Sequence, residues 1–452
     1  MTGIIFALAL PTMLEQLMHT AVQYIDTAMV GTLGTEATAA VGATSTVNWL
    51  VGSTVSALGV GFLSYIAKKR GEGDHEGARA CAAQVSLAVL TVGAFFTLLT
   101  LSLSGAIPRW MQVDESIREL SSLYFFIIYL PMLPRCASIL FGTVLRAAGE
   151  TKIPMKIGIG VNLINLLLNF LLIYPTRSVT VLGISLTLPG AGKGVVGAAI
   201  ATAVSYTLGG ILTTVAVYRN KEISPKGKSM RPHSGILRPC LKVAMPNMLQ
   251  RFGTSLGYVA FASMINSLGD VATAAHTIAN TVESAFYIPG YGMQTAAATL
   301  AGNAYGAKDR ERLKRLSSTI IPIELLLMVA SGGLLLLGAE PLMSLFSKDE
   351  AVIALGATVL RMVAVSEPFY GFSIIVEGLM QGVGKTRVPF VFNVTGMWAV
   401  RILGTFLLIT FASGTLISAW GCMIAHNMLL FLLFLITYLR GGHDPFKAPK
   451  KT

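Results

Sequence analysis

The stretch LGTEATAA at residues 33–40 returns as LGDVATAA at residues 268–275, a shift of 235 positions. The same shift aligns further residues along the chain: Pro11 with Pro246, Gly71 with Gly306, Asp74 with Asp309, Asp114-Glu115 with Asp349-Glu350, and Gly149 with Gly384. One shift that holds over about 140 residues indicates two related halves. After the fifth predicted helix of each half the shift falls to 224, so the first half contains a short insertion within residues 177–192.

The composition places much of the chain in lipid. Of its 452 residues, 53% are hydrophobic and only 12% are charged, whereas a soluble protein has about 25% charged residues. A membrane-spanning helix needs about 20 apolar residues. The sequence predicts twelve such helices, at 4–32, 38–67, 81–106, 117–146, 153–174, 194–218, 241–267, 272–304, 313–338, 351–381, 388–411 and 415–439.

The basic residues predict the orientation of these helices. If the chain starts on the inner side, 25 of the 34 Lys and Arg residues lie on the inner face and five on the outer. The positive-inside rule then puts both termini in the cytoplasm. The net charge of +12 is therefore a topology signal, and no nucleic-acid partner is expected.

The repeat predicts the domain organisation. Six helices per half give both copies the same orientation, so they are parallel repeats around a central cleft. We expect an all-α membrane protein with a first lobe at 1–219, a cytoplasmic linker at 220–238, a second lobe at 239–440 and a cytoplasmic tail at 441–452. The alternating run SVTVLGISLTLPG within residues 177–192 predicts a short β-hairpin, which we place outside the cell.

Several motifs resemble those of the multidrug and toxic compound extrusion (MATE) family, prokaryotic branch, and the likeness covers nearly the whole chain. They are Pro11 with DTAMVGTLG at 26–34, NSLG at 266–269 with AAH at 274–276, LRAAGETK at 145–152, VES at 282–284 with PGYG at 289–292, and Glu367-Pro368. The resemblance implies two six-helix bundles, cation-driven antiport and export of amphipathic, often cationic, drugs. The acidic positions of the family's sodium-coupled branch are Thr254 and Tyr370 here, and the archaeal-type branch has an aspartate at Asn169.

Asp26 is the first candidate for ion coupling. A carboxylate inside a membrane helix costs about 3 kcal/mol and is a functional hypothesis by default. Asn169 and Asn165, one turn apart on the fifth helix, lie at a similar depth. Asp26 could take up a proton, or it could hold Na⁺ together with the amide oxygens, since hard cations favour oxygen ligands. The alternative is that Asp26 only locks helices together through hydrogen bonds.

Charged residues also lie within the helices of the second half. Glu283 and Glu367 are candidates for a carboxylate that attracts cationic substrate or takes part in coupling. We expect Arg401 to form a structural ion pair with one of the glutamates, which also include Glu324 and Glu377, since buried charges need partners. Glu377 is expected at the membrane interface. Tyr287, Tyr291 and Met293 complete the substrate-site candidates, as an adaptable wall for varied substrates.

The leading interpretation is a monomeric secondary antiporter in the cell membrane. It would export small organic molecules in exchange for H⁺ or Na⁺ and would need no cofactor. A lipid-linked oligosaccharide or lipid flippase of a related two-lobe fold is the alternative, and it would predict a basic cavity. An enzyme is not expected, because no nucleophile–base pair or metal-ligand cluster is visible in the sequence.

Overall fold

A computed structural model describes residues 1–111, 113–181 and 184–447, without the side chains of residues 35, 43, 44, 46, 178–181 and 184–188. Nearly all of this part is helical. The helices are α1 (Thr2–Gly31), α2 (Thr35–Gly71), α3 (His75–Ser102), α4 (Ile107–Trp110), α5 (Glu115–Tyr129), α6 (Met132–Ala147), α7 (Lys152–Ile173), α8 (Gly194–Arg219), α9 (Ser234–Asn266), α10 (Asp270–Gly306), α11 (Arg310–Ser344), α12 (Glu350–Ala364), α13 (Glu367–Gly382), α14 (Arg387–Thr395), a π-helical segment (Gly396–Ile402), α15 (Leu403–Phe411) and α16 (Leu416–Leu439).

The twelve predicted membrane helices are confirmed as helices. Eight continuous stretches in the described residues are long and apolar enough to cross a membrane, and two bent pairs raise this number to ten. The pairs are α5 with α6, bent by 48°, and α12 with α13, bent by 53°. The remaining two are α9 and α10, which are 33 and 37 residues long. Prolines mark both bends, because proline lacks the N–H that would continue the helical ladder: Pro131 precedes α6 and Pro368 lies in the first turn of α13.

The predicted hairpin is also confirmed. Strands β1 (Pro175–Val181) and β2 (Ile184–Ala191) pair antiparallel, with Arg177 opposite Leu188 and Val181 opposite Ile184. The pairing shifts register between Pro175 and Arg177. Residues 182 and 183, at the tip, lie outside the described residues, as do residues 448–452 of the predicted tail. The position of the hairpin outside the cell stays a prediction.

The chain forms two compact units. The first-half unit comprises Glu15–Gly59 and His75–Leu237, and the second-half unit comprises Met1–Leu14, Val60–Asp74 and the chain from Arg238 onward. Parts of α1 and α2 therefore pack with the second repeat. The lobe boundaries predicted from the sequence stay a prediction.

In the second-half unit, two glycines related by the repeat let α2 and α10 touch backbone to backbone. A Cβ atom on Gly71 would overlap the carbonyl oxygen of Asn303, and a Cβ atom on Gly306 would overlap that of Lys68. The shift of 235 that relates Gly71 to Gly306 also relates Lys68 to Asn303. The contact is therefore symmetric, and each glycine provides the space for its counterpart helix.

In the first-half unit, the predicted linker is held against α3. The Arg79 guanidinium donates to the carbonyl oxygens of Ser224 and Lys226, each at 3.0 Å. The Gln84 amide donates to the Arg231 carbonyl at 2.9 Å. The linker is thus an ordered part of this unit, because its carbonyl groups find donors on α3.

Candidate functional site

The structure brings the three predicted ion-coupling residues together in the first-half unit. The Asn169 amide on α7 donates to Asp26 Oδ1 on α1 at 2.6 Å, and it also donates to Asn165 Oδ1 at 3.3 Å. Asn165 and Asn169 are buried, and Asp26 is half-buried. The spacing of four residues puts both amides on one face of α7, toward the carboxylate.

The oxygen atoms of this cluster fit a small hard cation. Asn169 Oδ1 is buried and accepts no hydrogen bond within the described residues. Rotating the Asn165 amide by half a turn would instead place its nitrogen 2.9 Å from Asp26 Oδ2. The cluster can therefore present carboxylate and amide oxygens to Na⁺, or it can surround a carboxyl group with amide donors and acceptors. Both arrangements allow Asp26 to change its charge state or its partner.

Asp26 belongs to a polar face that runs along α1. Glu15, His19, Gln23 and Asp26 recur at intervals of three or four residues, so they lie on one side of the helix. Gln23 Nε2 lies 3.3 Å from His19 Nε2, and Glu15 pairs with Arg146 on α6 at 3.4 Å. A membrane helix gains nothing from turning such a stripe toward lipid, which indicates that this face of α1 meets water or protein.

The second-half unit contains three buried glutamates. Glu283 on α10 and Glu367 on α13 are 6% and 1% exposed. Glu324 on α11 is completely buried, and neither of its carboxylate oxygens has a hydrogen-bond partner among the described residues. The side chain of Glu324 lies against Gly290 and Gly371, where a Cβ atom would crowd it. The sequence reasoning placed Glu324 at membrane depth but gave it no role in a site.

Three tyrosines of the second-half unit form one aromatic group. The Tyr291 and Tyr370 hydroxyls lie 2.9 Å apart, and the Tyr287 ring meets each of the other two edge to face with centroids 5.9 Å apart. All three are half-buried. Met293, expected in the same wall, instead lies fully buried in the hydrophobic core, because that face of α10 packs against Ile375 and Leu379 of α13.

Arg401 differs from the expectation of an ion pair. It is 4% exposed and has no carboxylate partner within 4.0 Å in the described part of the chain. Its guanidinium instead lies over the rings of Phe261, at 4.2 Å, and Tyr258, at 5.0 Å, both on α9. The π-helical segment holds Arg401 in this position. Aromatic faces carry negative charge density, so they partly compensate the buried cation.

Glu377 also differs from the expectation, because it is buried rather than interfacial. Its Oε1 accepts from Gln250 and Gln381, each at 2.9 Å, and its Oε2 accepts from Asn393 at 3.2 Å. The shift of 235 relates Gln250 and Gln381 to Glu15 and Arg146. The two halves therefore hold a polar knot at the same repeat position. It is an ion pair in the first half and a carboxylate among carboxamides in the second.

Replacing Glu377 with alanine should destabilise the protein by about 3 kcal/mol, because the buried amides of Gln250 and Gln381 lose their acceptor. The variant Glu377→Gln should lose less, since one carbonyl oxygen can still accept from both. The measurement is the thermal unfolding of the purified protein in detergent, with the exposed Glu350→Ala as the control. Equal unfolding temperatures for Glu377→Ala and the control would contradict a stabilising role.

Comparison with known proteins shows what the chain resembles. It is 26% identical over 435 residues to a protein of Thermotoga maritima named "Probable multidrug resistance protein NorM", which covers 96% of this chain and 91% of that protein. It is 24% identical over 396 residues to "Probable multidrug resistance protein YpnP" of Bacillus subtilis, covering 87% and 85% of the two chains.

Solved structures share the fold over almost the full length. One is described as the "outward-facing conformation of a multidrug resistance MATE family transporter" and matches with a TM-score of 0.88 and 23% identity, covering 98% of this chain and 96% of the other. A MOP superfamily transporter from Pyrococcus furiosus matches with a TM-score of 0.87 and 23% identity, covering 97% and 95%. These structures confirm the all-α membrane fold with helices in two lobes.

The MatE family model matches twice, at residues 11–171 and 246–407. The two matches fall on the two halves of the repeat, and together they cover well over half of the chain. This multi-pass membrane protein therefore belongs to the MatE family, as the motifs of its sequence predicted.

Proposed function

We propose that the protein is a secondary antiporter that exports small amphipathic, cationic organic compounds in exchange for H⁺ or Na⁺. It would reside in the cell membrane as a monomer, with both termini in the cytoplasm. The observation that carries the proposal is the carboxylate of Asp26, which lies within an apolar helix and contacts the Asn169 amide at 2.6 Å. The relatives named as multidrug resistance proteins support the same class of function.

The chemistry of Asp26 supports ion coupling. An ionised carboxylate at membrane depth is unfavourable by about 3 kcal/mol, and either a proton or Na⁺ reduces that cost. The Asn165 and Asn169 amides can donate to the ionised form or turn their oxygens toward a cation. Binding of the ion therefore changes the hydrogen bonds between α1 and α7. A change in those bonds is the kind of local event that can bias a two-state transporter.

The second-half unit supports a cationic substrate. The glutamates at 283 and 367 bring negative charge to the buried side of α10 and α13, and Glu367 lies within electrostatic range of both Glu283 and Glu324. Tyr287 and Tyr291 add aromatic faces on α10 for an organic cation. Arg401 would tune this region as a buried positive charge rather than contact substrate directly, because aromatic rings lie against its guanidinium.

An acidic and aromatic interior does not favour the flippase alternative, which needs basic groups for pyrophosphate or lipid phosphates. The described residues of the second-half unit bury Glu283, Glu324 and Glu367 against Arg401. No observation favours an enzymatic reaction, and we do not propose one.

The test uses the purified protein in liposomes loaded with a fluorescent organic cation, under an imposed proton gradient or an imposed sodium gradient. We expect one of the two gradients to drive movement of the cation against its concentration, and the active gradient identifies the coupling ion. Protein-free liposomes and a collapsed gradient, set with an ionophore, are the controls. If neither gradient drives movement of any organic cation tested, the antiport proposal is wrong.

A further inference from the structure

A basic cavity lies in the second-half unit where α11 begins and α16 ends. Its volume is about 560 Å³, and four of the side chains that line it are cations: Arg310, Lys314, Arg315 and Lys447. Tyr438 and Leu439, at the end of the apolar α16, line its other side. The cavity therefore lies at the boundary between a membrane-spanning segment and the polar residues that follow it.

Two of the four cations are already paired. Arg310 contacts Asp444 at 2.8 Å, and Lys314 contacts Glu311 at 2.7 Å. Burial opposes ionisation of Asp444, but the Phe446 amide and Arg310 outweigh it and hold the pKa of Asp444 below its ordinary value. The lining thus keeps a net positive charge from the remaining two cations.

Those two cations have heads free to meet an anion. Lys447 donates to the Arg440 carbonyl at 2.9 Å, which leaves its positive charge uncompensated. Arg315 is exposed and makes no ion pair within the described residues. In the first half, by contrast, Arg79 occupies the repeat position of Lys314 and donates to linker carbonyls. The second half leaves the corresponding region open.

The lining also provides neutral donors and an apolar exit. The hydroxyls of Ser317 and Tyr438 lie 3.3 Å apart at the inner wall of the cavity. An exposed apolar stripe leads away from it along α16: Leu439, Ile436 and Leu432 are 72%, 46% and 51% exposed, at intervals of three and four residues. A free phosphate ion would have no use for this stripe, whereas an acyl chain would lie along it.

We propose that this cavity binds the phosphate of an anionic phospholipid headgroup, with the acyl chains along the Leu432–Leu439 side of α16. Basic pockets next to membrane helices recognise such headgroups through charge and hydrogen bonds. Arg315 and Lys447 would meet the phosphate, while the Ser317 and Tyr438 hydroxyls would donate to its oxygens. Each basic residue near a membrane surface contributes enough that removing two should weaken binding roughly 30-fold. The proposal does not depend on the antiport mechanism.

The test measures the thermal unfolding of the detergent-purified full-length protein during titration with phosphatidylglycerol, phosphatidylcholine or inorganic phosphate. A ligand that binds the folded state raises the unfolding temperature in a saturable way. For the unmodified protein we expect such a rise with phosphatidylglycerol alone. The double variant Arg315→Gln/Lys447→Gln should need roughly 30-fold more of this lipid for the same rise. The matched control is Arg312→Gln, which removes a charge from the same turn of α11 but not from the cavity lining.

Three results would overturn the proposal. One is an equal response of the double variant and the unmodified protein to phosphatidylglycerol. Another is an equal response of the unmodified protein to phosphatidylcholine. The third is a full response to inorganic phosphate, which would make the cavity an ion site rather than a lipid site. If the double variant does not fold, the single variant Arg315→Gln, which changes only an exposed side chain, should still shift the titration to higher lipid concentration.

Discussion

Asp26→Asn should abolish ion-driven export while leaving the protein folded. The substitution keeps the size of the side chain and its hydrogen bond to Asn169, which the structure places at 2.6 Å. It removes the negative charge that a proton or Na⁺ would neutralise, so the hydrogen bonds between α1 and α7 no longer depend on ion occupancy. We expect transport of the organic cation in liposomes to fall to the level of protein-free liposomes.

The control for this variant is Glu36→Gln, which removes an exposed carboxylate from the first turn of α2 and should transport normally. Unfolding temperature and elution volume in detergent check that Asp26→Asn is folded. If the folded Asp26→Asn variant exports at the normal rate under the active gradient, Asp26 is a structural residue. The hydrogen bonds to Asn169 and Asn165 would then serve only to join α1 to α7.

Gly306→Ala should destabilise the protein by about 3 kcal/mol or more. The added methyl group would overlap the carbonyl oxygen of Lys68, which belongs to a helix backbone and cannot move aside as a flexible side chain could. Helices α2 and α10 would have to separate where they now touch. We expect a large fall in the apparent unfolding temperature in detergent, and a similar fall for the repeat-related Gly71→Ala.

The double variant Gly71→Ala/Gly306→Ala should cost less than the sum of the two single changes, because one separation of α2 from α10 accommodates both methyl groups. The matched control is Gly421→Ala in the interior of α16, where an added Cβ atom would meet nothing within 4 Å. That change should be neutral or stabilise the helix by up to about 1 kcal/mol. Additive losses for the double variant would show that the two glycines act at independent contacts.

The sequence was sufficient to predict the helices and the repeat. Apolar stretches of the right length separate clearly from basic and glycine-rich connections, and a membrane allows little besides helices in such stretches. The cluster of Asp26, Asn165 and Asn169 could also be predicted, because polar groups at equal depth in apolar helices gain from meeting. The hairpin was visible through its alternation, since period-two patterns are distinctive even in short segments.

The partners of Glu377 and Arg401 could not be predicted in the same way. In a membrane protein both the lipid-facing and the core-facing sides of a helix are apolar, so hydropathy does not fix how a helix is rotated about its axis. The amides around Glu377 and the rings against Arg401 depend on that rotation. A signal was nevertheless present, because Gln250 and Gln381 match Glu15 and Arg146 at the shift of 235. Polar pairs that coincide in both halves indicate contact across helices.

The π-helical segment at Gly396–Ile402 constrains how this helix can vary in length. Such a segment accommodates one residue more than an α-helix of the same rise, so deleting any one residue within it would restore an ordinary helix. Each residue of an α-helix turns about 100° around the axis. The deletion would therefore swing one flank of the helix by about a quarter of a turn, parting Gly396 from His426 on one side or Arg401 from Phe261 on the other. Relatives that retain this buried cation should keep the extra residue.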